Sequence, residues 1–397
     1  IGLLILTNTD SLKQIRGHRY VTLKIYTRDE DNQDEFEVYK QLNQGRSWHP
    51  GHAHVRKALD IFTIPSSGGN HPCLVQNPMW ESFRDLLYRN PNHRFTEDLL
   101  KPGLMQIFLA LDYLQLNASL STPVSRINKA FSKGIALICI LADIKSDNIL
   151  QEIEDKSILE SFTQAELESP SHRKIVNGLP VYASRCFDLP KVFGRAVLSD
   201  FGSAVQGDEK RNHDAQPDVY RPPEVMLKTD WSYPVDIWNV GVMVCFPCSL
   251  FSLSISCTNH SGIIGGDLFE GRHLFHGNDP DGKGYSTRAH LAEVMGSLGP
   301  PPLDMLQRGK RSHEFFTNDG SILFSLNALF KDYEDKLKGK WKQDIEIPTG
   351  VSLEQSEVFL EGRNKEMFIA FMRGMLQWRP EDRKTAKDLL QDPWLND

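Results

Sequence analysis

At 397 residues and 45.2 kDa, the chain has room for one large two-part unit or two domains. A formal net charge of −7 argues against a general nucleic-acid binder and is compatible with a basic peptide as substrate. No apolar run reaches the ~20 residues of a membrane span, and six cysteines without a regular framework suggest reduced thiols, in the cytoplasm or nucleus. A start at Ile1 rather than Met reads as a fragment, and residues 1–6 are too short for a secretory signal.

Tyr20-Val-Thr-Leu-Lys-Ile-Tyr26 alternates β-branched and aromatic residues as a strand does, and it carries Lys24. Residues 32–43 read as an acidic helix with Phe36, Tyr39 and Leu42 on one face. Leu100, Leu104, Ile107, Phe108, Leu111 and Leu114 have helical spacing and form a buried face. The run Leu141-Ala-Asp-Ile-Lys-Ser-Asp-Asn-Ile-Leu150 reads D-x-K-x-x-N. From one tight loop, Asp143 can accept a proton, Lys145 can neutralise a phosphate and the Asn148 carbonyl can bind a hard cation. Those are the parts a phosphoryl transfer needs. Taken alone, the motif also fits a charged surface loop. Downstream stand Val197-Leu-Ser-Asp-Phe-Gly202 and Tyr220-Arg-Pro-Pro-Glu224.

These three motifs, in this order, resemble a eukaryotic-type serine/threonine protein kinase. Trp231-Ser-Tyr-Pro-Val-Asp-Ile-Trp238, Leu268-Phe-Glu-Gly-Arg-His-Leu-Phe-His-Gly-Asn-Asp279 and Trp378-Arg-Pro-Glu-Asp-Arg-Lys-Thr-Ala386 narrow the likeness to the SR-protein kinase-like group, its fungal members in particular. The resemblance implies an α+β, bilobal protein-kinase fold. Residues 1–79 would form the small β-rich lobe. Residues 80–397 would form the large helical lobe, with insertions near 115–140, 151–196 and 244–266. It further implies ATP and Mg2+ as cofactors, Arg/Ser-rich splicing-factor-like proteins as substrates, and a monomer without direct nucleic-acid or membrane binding.

Residue by residue, the resemblance makes Lys24 the lysine on the α- and β-phosphates. Its partner on the acidic helix is Glu35, because Val38 and Tyr39 then follow in the family's register; Glu37 is the alternative. Gln76 would be the gatekeeper. The Asn77 carbonyl and the Met79 N–H would face adenine, with Pro78 at the hinge position that needs no N–H. Asp143 would accept or orient the substrate proton, and Lys145 would neutralise the γ-phosphate. Asn148 and Asp200 would hold magnesium, and Leu150 would pack beneath adenine. Asp236 would hold the catalytic-loop backbone, and Glu224 and Arg383 would form a buried ion pair.

The departures are as informative. Before Lys24 only Gly2 and Gly17 occur, so no G-x-G-x-x-G is present and the first strands of the small lobe read as missing or replaced. Thr22 stands where the family has Ala, and Leu141 where it has a structural His. Residues 115–140 and 244–266 each run roughly twenty residues longer than the family needs. Both read as intron translated in frame, since Val124-Ser125 and Val244-Cys245 can be encoded by 5′ splice-like sequences and Thr258-Asn-His-Ser261 by a branch-like one. Cys245, Cys248, Cys257 and His260 also have a zinc-like spacing, which makes a zinc-dependent interaction module a remote alternative. Residues 151–196 read as a surface insertion with a short helix. Between Asp200 and Glu224 the only hydroxyl side chains are Ser203 and Tyr220. Fixed charges such as Asp208, Glu209, Lys210 and Arg211 would therefore order this segment without phosphorylation. The reading is an active kinase; a pseudokinase acting as a binding scaffold is the alternative.

Overall fold

The computed structural model describes residues 2–6, 20–27, 33–66, 68–91, 94–118, 139–140, 143–176, 178–206, 211–212, 216, 218–244, 274–317 and 340–397. The expectations on Leu141, on 119–138, on Cys245–His260 and on Asp208–Lys210 fall outside them. The architecture is α+β: antiparallel sheets come first and helices dominate after residue 218.

Four strands form the first sheet: β1 (Gly2–Leu6), β2 (Val21–Ile25), β3 (Asp60–Ser66) and β4 (Gly69–Gln76), in the order β1-β2-β4-β3. Among the described residues one strand, β1, precedes the Lys24 strand, and it pairs antiparallel to β2 with Gly2 opposite Ile25 and Leu6 opposite Val21. An apolar run such as Gly2–Leu6 suits a strand, although no glycine-rich motif follows it. The inward residues Val21, Leu23, Cys73 and Val75 pack as one buried cluster. Between β2 and β3 runs helix α1 (Gln33–Asn43), which buries Glu35, Tyr39 and Leu42 on one face.

β4 ends at Gln76, and strand β5 (Met79–Ser82) leads into helix α2 (Phe83–Arg89) through a capping box between Ser82 and Asp85. Helix α3 (Glu97–Ala118) then buries Leu100, Leu104, Ile107, Phe108, Leu111 and Leu114, the face its periodicity marks out. It runs past residue 115, so 115–118 belong to this helix rather than to a long connection.

Strand β6 (Cys139–Ile140) precedes strand β7 (Ile149–Glu152), which lies between β5 and a later strand. The spacer contains more than the short helix expected of it. Besides α4 (Ser157–Glu168) it holds an antiparallel hairpin of β8 (Arg173–Val176) and β9 (Leu179–Tyr182). Strand β10 (Ala196–Leu198) pairs with β7, and β11 (Val205–Gln206) pairs with β6.

Helices α5 (Pro223–Met226), α6 (Pro234–Val244) and α7 (Thr287–Leu298) follow, with a later helix over Gly362–Met375. Every residue of α6 from Val235 to Val244 is buried, Asp236 and Asn239 included. Trp238, Phe368, Phe371 and Trp394 anchor the core beneath it.

Candidate active site

One strand, one helix and two loops converge on a single cluster. From β2, Lys24 Nζ donates to Glu35 Oε1 of α1 at 3.0 Å and to Asp200 Oδ1 at 2.9 Å. The sequence left Glu35 and Glu37 open. Glu35 is 4% exposed and faces Lys24, whereas Glu37 pairs with Lys40 at 2.6 Å on the outer face. Burial alone would lower the pKa of Lys24, but the carboxylates of Glu35 and Asp200 outweigh it and hold the ammonium above its ordinary value.

Residues 143–148 form a loop closed by a single 3-10 turn at Ser146–Asn148. Lys145 Nζ donates to Asp143 Oδ2 at 2.9 Å, and Asn148 Nδ2 donates to the same oxygen at 3.1 Å and to the Asp143 carbonyl at 3.0 Å. Asp143 Oδ1 is buried and has no hydrogen-bond partner among the described residues. Burial raises the Asp143 pKa, with Lys145 and Asn148 opposing and Asp200 adding to the rise. An acceptor buried without a donor is costly, and a substrate hydroxyl placed against Oδ1 would satisfy it.

Asp200 is presented by a turn tied to this loop. The Ser199 N–H donates to the Asn148 carbonyl at 2.8 Å, and Ala204 N–H closes back on Phe201 at 3.0 Å. Asp200 has φ 63°, in the left-handed region that costs a non-glycine residue about 1 kcal/mol. Phe201 is 1% exposed and meets the ring of Tyr39 edge-on at 5.3 Å. A Cβ on Gly202 would lie 3.3 Å from Glu35 Oε2 and 3.5 Å from Asp200 Oδ1, so the missing side chain lets the turn approach both carboxylates.

A hard divalent cation fits this donor set. Asn148 has committed its amide nitrogen to Asp143, which leaves its side-chain carbonyl oxygen for a metal. Asp200, which follows the Ser199 bonded to the Asn148 carbonyl, supplies an exposed carboxylate. Magnesium takes few protein ligands of this oxygen type and fills the rest from phosphate and water.

No family model matches the chain. A serine/threonine protein kinase of Aspergillus fumigatus is 35% identical over 388 residues, covering 96% of this chain and 79% of that one. The probable serine/threonine-protein kinase sky1 of Dictyostelium discoideum is 31% identical over 227 residues, 56% of this chain and 29% of its own. The serine/threonine-protein kinase SRPK of Physarum polycephalum is 24% identical over 412 residues, 98% of this chain and 82% of its own. The chain belongs to the serine/threonine protein kinases.

On the hinge side of this kinase, Met79 is buried in β5 opposite Glu152 of β7, and the Asn77 carbonyl accepts from Arg56 Nη2 at 3.2 Å. Leu150 lies half-buried in β7 between Ser82 and Val197. Gln76 is buried opposite Thr22, itself 3% exposed. Far from this cleft, Glu224 and Arg383 form a two-fold pair at 2.6 Å with both side chains 0% exposed. Asp236 is buried in α6. Tyr220 is buried too, and Ser203 is exposed.

Two residues of this site escape a reading of the sequence. Tyr26 donates its hydroxyl to Glu35 Oε2 at 2.8 Å, and its ring lies under Lys24 Nζ at 4.9 Å. Burial and then the Glu35 carboxylate push the phenol well above its ordinary pKa, so it acts as a donor. The signal was present: two positions apart on a strand, Lys24 and Tyr26 share a face. Arg56 has no such signal, because it lies on an irregular segment.

Proposed function

We propose that this kinase has the bilobal protein-kinase fold and transfers the γ-phosphoryl group of ATP to Ser or Thr in Arg/Ser-rich proteins. The observation that carries the reading is the convergence of Lys24, Glu35 and Asp200 beside an Asp143 whose Oδ1 is buried without a hydrogen-bond partner among the described residues. Glu35 aims the Lys24 ammonium, which would then exchange Asp200 for the α- and β-phosphates. Asp143 would receive the substrate hydroxyl on Oδ1, orienting its lone pair toward phosphorus and taking the proton as the bond forms. Lys145, already on Oδ2, would offset charge on the transferring group. Magnesium, when bound at Asn148 and Asp200, supplies neutralisation of phosphate charge. Positioning and charge complementarity carry most of such a transfer.

The substrate class rests on the resemblance to SR-protein kinases, on relatives whose names include SRPK, and on the net charge of −7. A site in the cytoplasm and nucleus and a monomeric state belong to the same reading. The test measures transfer from labelled ATP to an Arg-Ser repeat peptide and to its Lys-Ser counterpart. Transfer that prefers the Arg-Ser peptide and disappears in Asp143→Asn supports the proposal. Absence of transfer to any peptide, with ATP still bound, favours the pseudokinase reading, which Leu141 and the missing glycine-rich motif motivate.

A further inference from the structure

The hairpin of β8 and β9 takes no part in the active site. It is a two-stranded sheet that no third strand joins among the described residues. All four residues of β8 are exposed. The phase of the ladder fixes which backbone groups face outward. Ala183 N–H donates to the carbonyl of His172, which stands opposite it when the register is extended by one pair, at 2.7 Å. Bonded and non-bonded pairs alternate along an antiparallel ladder. Lys174 and Val181 are therefore a bonded pair, whereas Arg173 with Tyr182 and Ile175 with Pro180 are not. The N–H and C=O groups of Arg173 and Ile175 thus point away from β9. On the far side Pro180 has no N–H to offer, which blunts the outer edge of β9. The edge left open is that of β8.

The side chains along this edge are apolar and basic. Ile175 is 65% exposed and Tyr182 58%, on the face that also carries Arg173. Val176 and Val181 are exposed on the other face, with Lys174. Residues 169–187 include Arg173, Lys174 and Arg185 and no Asp or Glu, in a chain whose net charge is −7. Arg185 is spent on Glu166 at 2.6 Å. None of the ion pairs found among the described residues includes Arg173 or Lys174. This charge decides what the edge can take. A second copy of the chain, paired antiparallel over the centre of β8, would set Lys174 against its own counterpart, and like charges directly opposite are destabilising. Lysine on an edge strand guards against that kind of pairing. An acidic segment reverses the sign and gains a cross-strand pair at both cations.

We propose that β8 is a docking edge for an extended, acidic segment of another protein, which adds to the hairpin as a third, antiparallel strand. Read from its N-terminus, that segment is apolar opposite Val176 and Ile175 and acidic opposite Lys174 and Arg173. The backbone of Arg173 and Ile175 supplies its hydrogen bonds, and the two cations select it. Contact over so few residues makes the association weak and transient. The proposal is independent of the phosphoryl-transfer reading. The test titrates the full chain into two fluorescein-labelled peptides, Gly-Val-Ile-Glu-Glu-Gly and Gly-Val-Ile-Lys-Lys-Gly, and reads anisotropy. Non-specific attraction to an acidic chain would favour the Lys-Lys peptide. The Glu-Glu peptide is nevertheless expected to bind about tenfold more tightly. Arg173→Glu combined with Lys174→Glu should invert that preference. Ile175→Pro removes an outward N–H without touching a ladder bond, so it should weaken the Glu-Glu peptide by about fivefold at unchanged thermal unfolding. Equal binding of the two peptides, or binding of neither, overturns the proposal. Full-strength binding in folded Ile175→Pro overturns it as well, because contact then lies off the β8 edge. A concentration-dependent dimer that Ile175→Pro abolishes would give the edge to a second copy and likewise overturn it. Should Ile175→Pro not fold, the charge inversion decides.

Discussion

Two ion pairs in this molecule use the same chemistry for opposite ends. Glu224 and Arg383 are sealed at 0% exposure, and the guanidinium also donates to the Gln377 and Pro234 carbonyls and lies over Trp238 at 5.0 Å. Every donor and acceptor there has an internal partner, so the pair is complete as folded. Lys24 and Glu35 are 14% and 4% exposed, and Lys24 also reaches Asp200, whose side chain is 45% exposed. That second contact opens onto solvent and can be traded for a ligand. The difference teaches that burial separates a pair that holds the fold from one that waits for a charge. Solvent access, not bond length, is what distinguishes them.

The largest effect should come from the open side. Asp143→Asn and Asp200→Asn should each lower kcat by about 10³-fold or more, with thermal unfolding shifted by no more than a few degrees. Retained transfer in either folded variant would remove that residue from the chemistry. The sealed pair should answer in the opposite sense. Glu224→Ala leaves a buried guanidinium uncompensated and should cost about 3–5 kcal/mol in a denaturant titration. A cost below about 1 kcal/mol would mean that water reaches the pair and would erase the contrast.

His290 sharpens the comparison, because it is a fully buried ring without a charged partner of opposite sign. Its Nδ1 meets the Tyr285 hydroxyl at 3.0 Å, the Asp218 backbone also bonds the ring, and the ring lies 5.1 Å from that of Phe275. Burial, followed by the charge of Arg221, pushes its pKa down to about 3. The folded value is depressed, so this stability is fully present above the unfolded value of about 6.5 and is lost as pH falls toward about 3. Within that window the loss should approach about 1.4 kcal/mol per pH unit. Glu293, whose carboxylate accepts from His276 and Gly277 N–H at 2.8 and 2.9 Å, sits on the same helix with its pKa raised by burial. Urea titrations of the parent and His290→Gln between pH 7 and 5 should therefore diverge as pH falls, with the variant losing less. Parallel curves would show that His290 titrates normally.

The smallest effect should come from Tyr26→Phe, which removes one hydrogen bond from Glu35 and keeps the ring under Lys24. An expected loss of about 1 kcal/mol corresponds to roughly fivefold in kcat/KM for ATP. The change should appear in KM for ATP rather than in KM for the peptide. An equal rise in both would mark Tyr26 as part of the packing alone.

The catalytic loop was legible because its chemistry is local: D-x-K-x-x-N places three functional groups within six residues, and Asp-Phe-Gly does so within three. Pairings across long separations were legible only through resemblance. Glu224 and Arg383 stand 159 residues apart, and no periodicity in either segment points to the other. Helix α3 was read from its apolar spacing, and its end was missed because exposed Leu116 breaks the buried stripe that marked it. The hairpin at 173–182 escaped because its strands are exposed on both faces and lack the alternation that betrays a half-buried strand. Arg56 escaped for a different reason. Its role comes from where the chain passes, beside Ser199 and Asn77, and composition does not encode that path.

The single bond from the Ser199 N–H to the Asn148 carbonyl has a mechanical consequence. It is a stitch between two loops separated by about fifty residues of chain, and it joins them immediately before Asp200 and immediately after Asp147. Asn148 also clasps Asp143 through both its carboxylate and its carbonyl. The candidate proton acceptor and the two metal-ligand candidates are therefore tied to one another by hydrogen bonds. A displacement of either loop pulls on the other through these bonds.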